Sequence, residues 1–90
     1  MYEIQFTPIA EESLKKFKKN EPAAFKKVIK LIDELMEHPY IGTGKPEPLG
    51  SNRSGQWSRR ITEKHRLVYK IEDDRLIVLI LSIAGHYNDK

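Results

Sequence analysis

Residues 75–83 read Arg75-Leu76-Ile77-Val78-Leu79-Ile80-Leu81-Ser82-Ile83, an almost unbroken apolar run. It falls well short of the roughly 20 residues that a membrane-spanning helix needs. The run reads instead as a strand buried on both faces, which places it at the centre of a sheet. Asp73-Asp74 marks a turn ahead of it. Upstream of that turn, Leu67, Tyr69 and Ile71 alternate with Arg66, Val68 and Lys70, and before them Trp57, Arg59 and Ile61 alternate with Ser58, Arg60 and Thr62. Both patterns have the period of a strand, and a turn near Glu63-Lys64 makes them a hairpin.

Working outward, residues 40–55 contain Gly42, Gly44, Pro46, Pro48, Gly50 and Gly55, too many breakers for regular structure. A loop with a set path is expected there. Two helices precede it. Phe25, Val28, Ile29, Ile32, Leu35 and Met36 form one apolar stripe that starts after Asn20-Glu21-Pro22 and closes at His38-Pro39, because a residue before proline is pushed out of the α region. Ala10, Leu14 and Phe17 recur at helical spacing after Thr7-Pro8, an N-cap followed by a first-turn proline. Tyr2, Ile4 and Phe6 alternate as a short first strand over residues 2–6. The order β-α-α-β-β-β predicts an α+β fold. Its sheet is mostly antiparallel and twisted, with two N-terminal helices packed on one face and the other face left open for a ligand.

The 90 residues are 39% hydrophobic and 32% charged, which suits one domain spanning residues 1–90. Cysteine is absent, excluding a disulfide framework and a thiolate metal site and fitting a reducing cytoplasm. The N-terminus lacks the basic start and apolar stretch of an export signal. Net charge is only +3, but from Lys45 to Lys70 seven basic residues face two acids. Four of those seven are arginines, whose planar fork matches phosphate oxygens, although solvated outer strand faces also carry such charge.

Most other motifs dissolve on inspection. Gly42-Thr43-Gly44-Lys45 resembles part of a phosphate-binding loop, but Pro46 stands where Ser or Thr is needed. His38, His65 and His86 lie on separate elements without ligand spacing, so no metal or other cofactor is expected. Ser51, Ser54 and Ser58 lie in no nucleophile elbow. The lysines around Phe17 read as a solvated helix face, and Trp57 as packing in or beside the core.

One set of residue types fits a reaction. Cleavage of RNA through its own 2′-hydroxyl needs a base, a cation for the phosphorane charge and an acid for the leaving 5′-oxygen. Glu47 is pinned between Pro46 and Pro48, which limits the entropy of placing a carboxylate. Arg66 opens the second hairpin strand, and His86 has a side chain that titrates near neutrality. Singly, each has an ordinary explanation as a loop acid, a strand-surface cation or a tail residue.

At these positions the chain resembles the YoeB/Txe branch of the RelE-type bacterial toxins, the messenger-RNA interferases of toxin–antitoxin pairs. The likeness is carried by the stretch from Gly42 to Leu49, by that from Ser54 to Tyr69, and by His86-Tyr87. It implies a RelE-like fold and a metal-independent endoribonuclease that cuts mRNA in the ribosomal A site and inhibits translation. It also implies Glu47 as general base, Arg66 as phosphate ligand, His86 as general acid and Tyr87 as a further functional residue. Lys45, Arg59 and Arg60 would contact RNA. The implied partners are ribosome-bound mRNA, a YefM/Axe-like antitoxin and a second copy of the chain. Adjacent strand residues point to opposite faces, so only one of Arg59 and Arg60 shares the face of Arg66. Arg60 is favoured, whereas a two- or four-residue turn would select Arg59. Two rival readings are a gyrase-inhibiting ParE-like toxin and a basic RNA-binding module without catalysis.

Overall fold

The computed structural model describes residues 1–50 and 55–83. Along the chain run β1 (Glu3–Phe6), α1 (Pro8–Asn20), α2 (Pro22–Glu37), β2 (Glu47–Pro48), β3 (Gln56–Arg60), β4 (Arg66–Glu72) and β5 (Ile77–Ile83). Thr7 caps α1 as its sequence suggests: its Oγ1 accepts from the Ala10 N–H at 3.1 Å and Pro8 follows at the first helical position. The same hydroxyl donates to the Leu81 carbonyl at 2.9 Å. Leu81 sits where the β4–β5 register jumps, Val68 facing Ser82 but Tyr69 facing Ile80, so the cap fastens the helix start to a β-bulge.

The sheet has five strands in the order β1-β5-β4-β3-β2. Only the β1–β5 pair is parallel: the two strands are not consecutive, and the chain leaves β1 through α1 and α2 for the far edge and returns through β2, β3 and β4. This moves the centre away from residues 75–83. With β3 and β2 added beyond β4, β4 is the middle strand and β5 lies next to it. β5 is also less completely buried than its composition suggests: Val78, Ile80 and Ile83 are buried, while Leu79, Leu81 and Ser82 are half-buried.

Helix-facing side chains of the sheet are Leu67, Tyr69 and Ile71 from β4 and Val78, Ile80 and Ile83 from β5, packed with Ala10 and Phe17 of α1 and Ala24, Val28, Leu31 and Leu35 of α2. The α2 stripe is therefore rotated from its expected position. Leu31 is fully buried, whereas Ile29 is 39% exposed, because the 24-28-31-35 spacing follows the helical repeat more closely. Burying a side chain such as Leu31 contributes about 1.5–3 kcal/mol.

The breaker-rich segment also differs from expectation, since it contains β2. Glu47 faces Ser58 and Pro48 faces Trp57 across an antiparallel pair. A proline is tolerated there because β2 is an edge strand, where one missing donor costs the ladder little. Among the described residues no helix is long and apolar enough to cross a membrane.

Candidate active site

The connection between β3 and β4 decides which side chains meet. Residues 61–65 form it, with Ile61 N–H donating to the His65 carbonyl at 3.0 Å and Thr62 Oγ1 accepting from the N–H groups of Lys64 and His65 at 3.1 and 3.2 Å. Ile61 is buried in the core, 4% exposed, so the turn cannot tighten without pulling it out. The resulting register sets Arg60 directly opposite Arg66. Ser58 and Arg60 alternate along β3 on the face away from the helices, and Glu47 pairs with Ser58, so all three share the face of Arg66.

Together they line a cleft of about 100 Å³ whose remaining walls are Gly44 and Lys45. The Gly44 carbonyl accepts from the Arg60 N–H at 2.7 Å, and the chain then turns through Lys45, whose φ of +52° is left-handed. That conformation costs a non-glycine residue roughly 1–2 kcal/mol. Glu47 and Arg60 are exposed and Arg66 is half-buried. None of the three belongs to an ion pair among the described residues. Three cations around one carboxylate leave the cleft with surplus positive charge, a setting for an anion such as a phosphodiester.

Arg59 is elsewhere, and the expectation that it touches RNA is corrected. Its side chain points into the helix face and is fully buried. It is paired at 3.0 Å with Glu34 of α2, because a guanidinium removed from water has to be neutralised and hydrogen-bonded. Arg60 is the member of the pair that shares a face with Arg66. His86 and Tyr87 lie outside the described residues. Sequence reading missed Gly44 and Ser58 as cleft walls. The alternation of Ser58 with Arg60 was a usable signal for the latter, and the close approach of Gly44 to β3 had none.

In both sequence and shape the chain matches known bacterial toxins. It is 44% identical over 84 residues to "Toxin YoeB" of Synechocystis sp., covering 93% of this chain and 95% of that protein. A solved YoeB dimer from Staphylococcus aureus superposes with a TM-score of 0.85 at 39% identity, covering 96% of this chain and 98% of that one. The YoeB of the heterotetrameric YoeB–YefM toxin–antitoxin complex from the same organism gives 0.82 at 39% identity, with 97% and 99% covered. An α+β fold of two helices on a five-stranded sheet, with a cationic cleft that includes the carboxylate of an edge strand, is thus that of a RelE-type toxin. More narrowly, the chain belongs to the YoeB-like toxins of bacterial type II toxin–antitoxin systems, whose family model matches residues 6–87.

Proposed function

We propose that this toxin is a ribosome-dependent endoribonuclease that cleaves mRNA in the A site and so halts translation. The observation that carries the reading is that Glu47, Lys45, Arg60 and Arg66 line one cleft on the face away from the helices. Glu47 removes the proton of a 2′-hydroxyl, and the 2′-oxygen attacks the adjacent phosphorus. Arg66, with Arg60 and Lys45, holds the charge that builds on the phosphorane. His86 gives a proton to the departing 5′-oxygen, leaving a 2′,3′-cyclic phosphate that water can open to a 3′-phosphate. Tyr87 either orients the nucleotide or supports catalysis by hydrogen bonding. No step calls for a metal. The protein acts in the cytoplasm, and its antitoxin is a YefM-like chain with a flexible acidic segment that masks the cationic face and folds on binding. The S. aureus relatives, solved with YefM and as a dimer, support an antitoxin and a second copy as partners.

Translation in vitro with added protein, followed by mapping of mRNA ends, tests the reaction. Wild type is expected to create new ends at A-site codons, and Glu47→Gln and His86→Gln to slow their appearance by about 10²–10⁴-fold. Wild-type protein that inhibits translation without new ends would overturn the enzymatic reading. Full-speed cleavage by Glu47→Gln would remove its role as base.

Lys45 offers a second test, because its backbone and its side chain make opposite demands. Lys45→Gly relieves the left-handed strain while deleting a cleft cation. Thermal stability is expected to hold or rise, offset in part by glycine's greater unfolded-state entropy. At the same time the slope of log affinity for single-stranded RNA against log salt is expected to fall by about 0.7. An unchanged salt slope would mean that Lys45 does not touch the backbone of the RNA.

A further inference from the structure

We propose that Arg59 and Glu34 are positioning residues for the cleft: from the buried side of the sheet they clamp residues 38–44 and thereby set where Glu47 stands. The inference rests on the reading of Glu47 as the base. A guanidinium has five N–H donors in a fixed fork, and every one of those of Arg59 is used. Nε–H donates to the Tyr69 hydroxyl at 3.0 Å. One terminal nitrogen donates to Glu34 Oε1 at 3.0 Å and the Thr43 carbonyl at 3.3 Å. The other donates to the His38 and Ile41 carbonyls at 2.7 and 2.8 Å. Tyr69 in turn donates its hydroxyl proton to the Pro39 carbonyl at 3.3 Å.

Glu34 completes the clamp. Its Oε1 accepts from the Thr43 N–H at 2.8 Å and its Oε2 from the Thr43 hydroxyl at 2.6 Å. These bonds, that of the hydroxyl foremost, hold its carboxyl below the usual range. Carbonyls at 38, 39, 41 and 43 are therefore all tied to side chains, where a loop normally leaves them to water. The segment is also pinned from outside by Tyr40, whose hydroxyl donates to Asp73. Its far end is Gly44, bonded to the Arg60 N–H on the cleft strand, and Lys45, Pro46 and Glu47 follow directly.

Two consecutive arginines thus fasten the same loop, Arg59 by its side chain and Arg60 by its backbone. Only Lys45, in its left-handed conformation, and the stiff Pro46 separate that anchor from the carboxylate. Displacing a catalytic group by about 1 Å can cost 10²-fold in rate, so a clamp of this kind acts on catalysis without touching RNA.

The test uses full-length Arg59→Lys, which keeps the charge but loses the fork, together with the milder Glu34→Gln and Thr43→Val. Single-turnover cleavage of ribosome-bound mRNA is measured on the folded fraction, alongside affinity for the programmed ribosome and amide exchange at Arg60. Expected are a fall in cleavage of about tenfold or more, affinity within about threefold of wild type, and faster exchange at Arg60. Folded variants that cleave at the wild-type rate, or whose loss lies entirely in affinity, would overturn the proposal. Should Glu47→Gln cleave normally, the base reading fails by itself. Exchange at Arg60 still reports whether the clamp places the loop: faster exchange in Glu34→Gln and Thr43→Val upholds that placement, and unchanged exchange refutes it.

Discussion

Arg66→Ala is expected to slow mRNA cleavage by about 10²–10³-fold while leaving the protein at least as stable. The variant loses one preorganised donor aimed at developing charge. Arg66 stands directly opposite Arg60, like charges so placed are destabilising, and no ion pair among the described residues compensates either one. Removing one guanidinium relieves that repulsion. Arg66→Lys is expected to recover part of the rate, since an ammonium supplies charge but not the paired donors. Rates would be read from the timed appearance of mRNA ends, and stability from thermal unfolding. A variant that cleaves within a few-fold of wild type, or that melts well below it, would contradict this account of the residue.

The largest effect on stability is expected from Gly44→Ala. The backbone there has a φ of +86°, and an added Cβ would lie 2.9 Å from the Arg60 carbonyl oxygen and 3.2 Å from both Arg59 Cβ and Leu31 Cδ2. The left-handed backbone alone costs an alanine roughly 1–2 kcal/mol, and crowding a packed site typically adds about 1–3 kcal/mol. In a chain of this size, each kcal/mol moves the melting temperature by about 4–8 °C, so a fall of about 10 °C or more is expected. Cleavage should fall with it, because two of the three crowded atoms, the Arg60 carbonyl oxygen and Arg59 Cβ, belong to the strand carrying Arg60. Gly50→Ala is the matched control: among the described residues nothing lies within 4 Å of a Cβ there, and its melting temperature should stay within about 2–3 °C of wild type. Equal melting temperatures for the two variants would show that the approach of the loop to β3 is not a close one.

Much of this arrangement was open to a reader of the chain. Thr7-Pro8 announced the start of α1, Pro22 that of α2, and the alternations around Trp57 and Leu67 described β3 and β4, because caps, prolines and period-two patterns act over a few residues. Glu47 and Arg66 could be picked out as residue types that suit one reaction, and both line the same cleft. Arg59 and Arg60 show the opposite case. They are adjacent and identical in chemistry, and the pleat requires only that they point in opposite directions. Which one enters the core depends on the length of the turn at residues 61–65 and on an acid waiting on α2. Glu34 itself looked like any polar position on a helix flank.

The amino-acid order alone determined the two helices and four of the five strands, the path-setting glycines and prolines, and the cationic bias of residues 45–70. Each of those is a property of neighbours in sequence, where backbone sterics and side-chain period act directly. Only the tertiary structure decided that β4 is the middle strand, that residues 47–48 pair with β3, that Arg59 is a buried clamp and that Arg60 faces Arg66. Those outcomes depend on contacts between distant segments, Glu34 with Arg59 and Glu47 with Ser58. The burial cost of a charge and the register of a sheet are settled only once those segments have met.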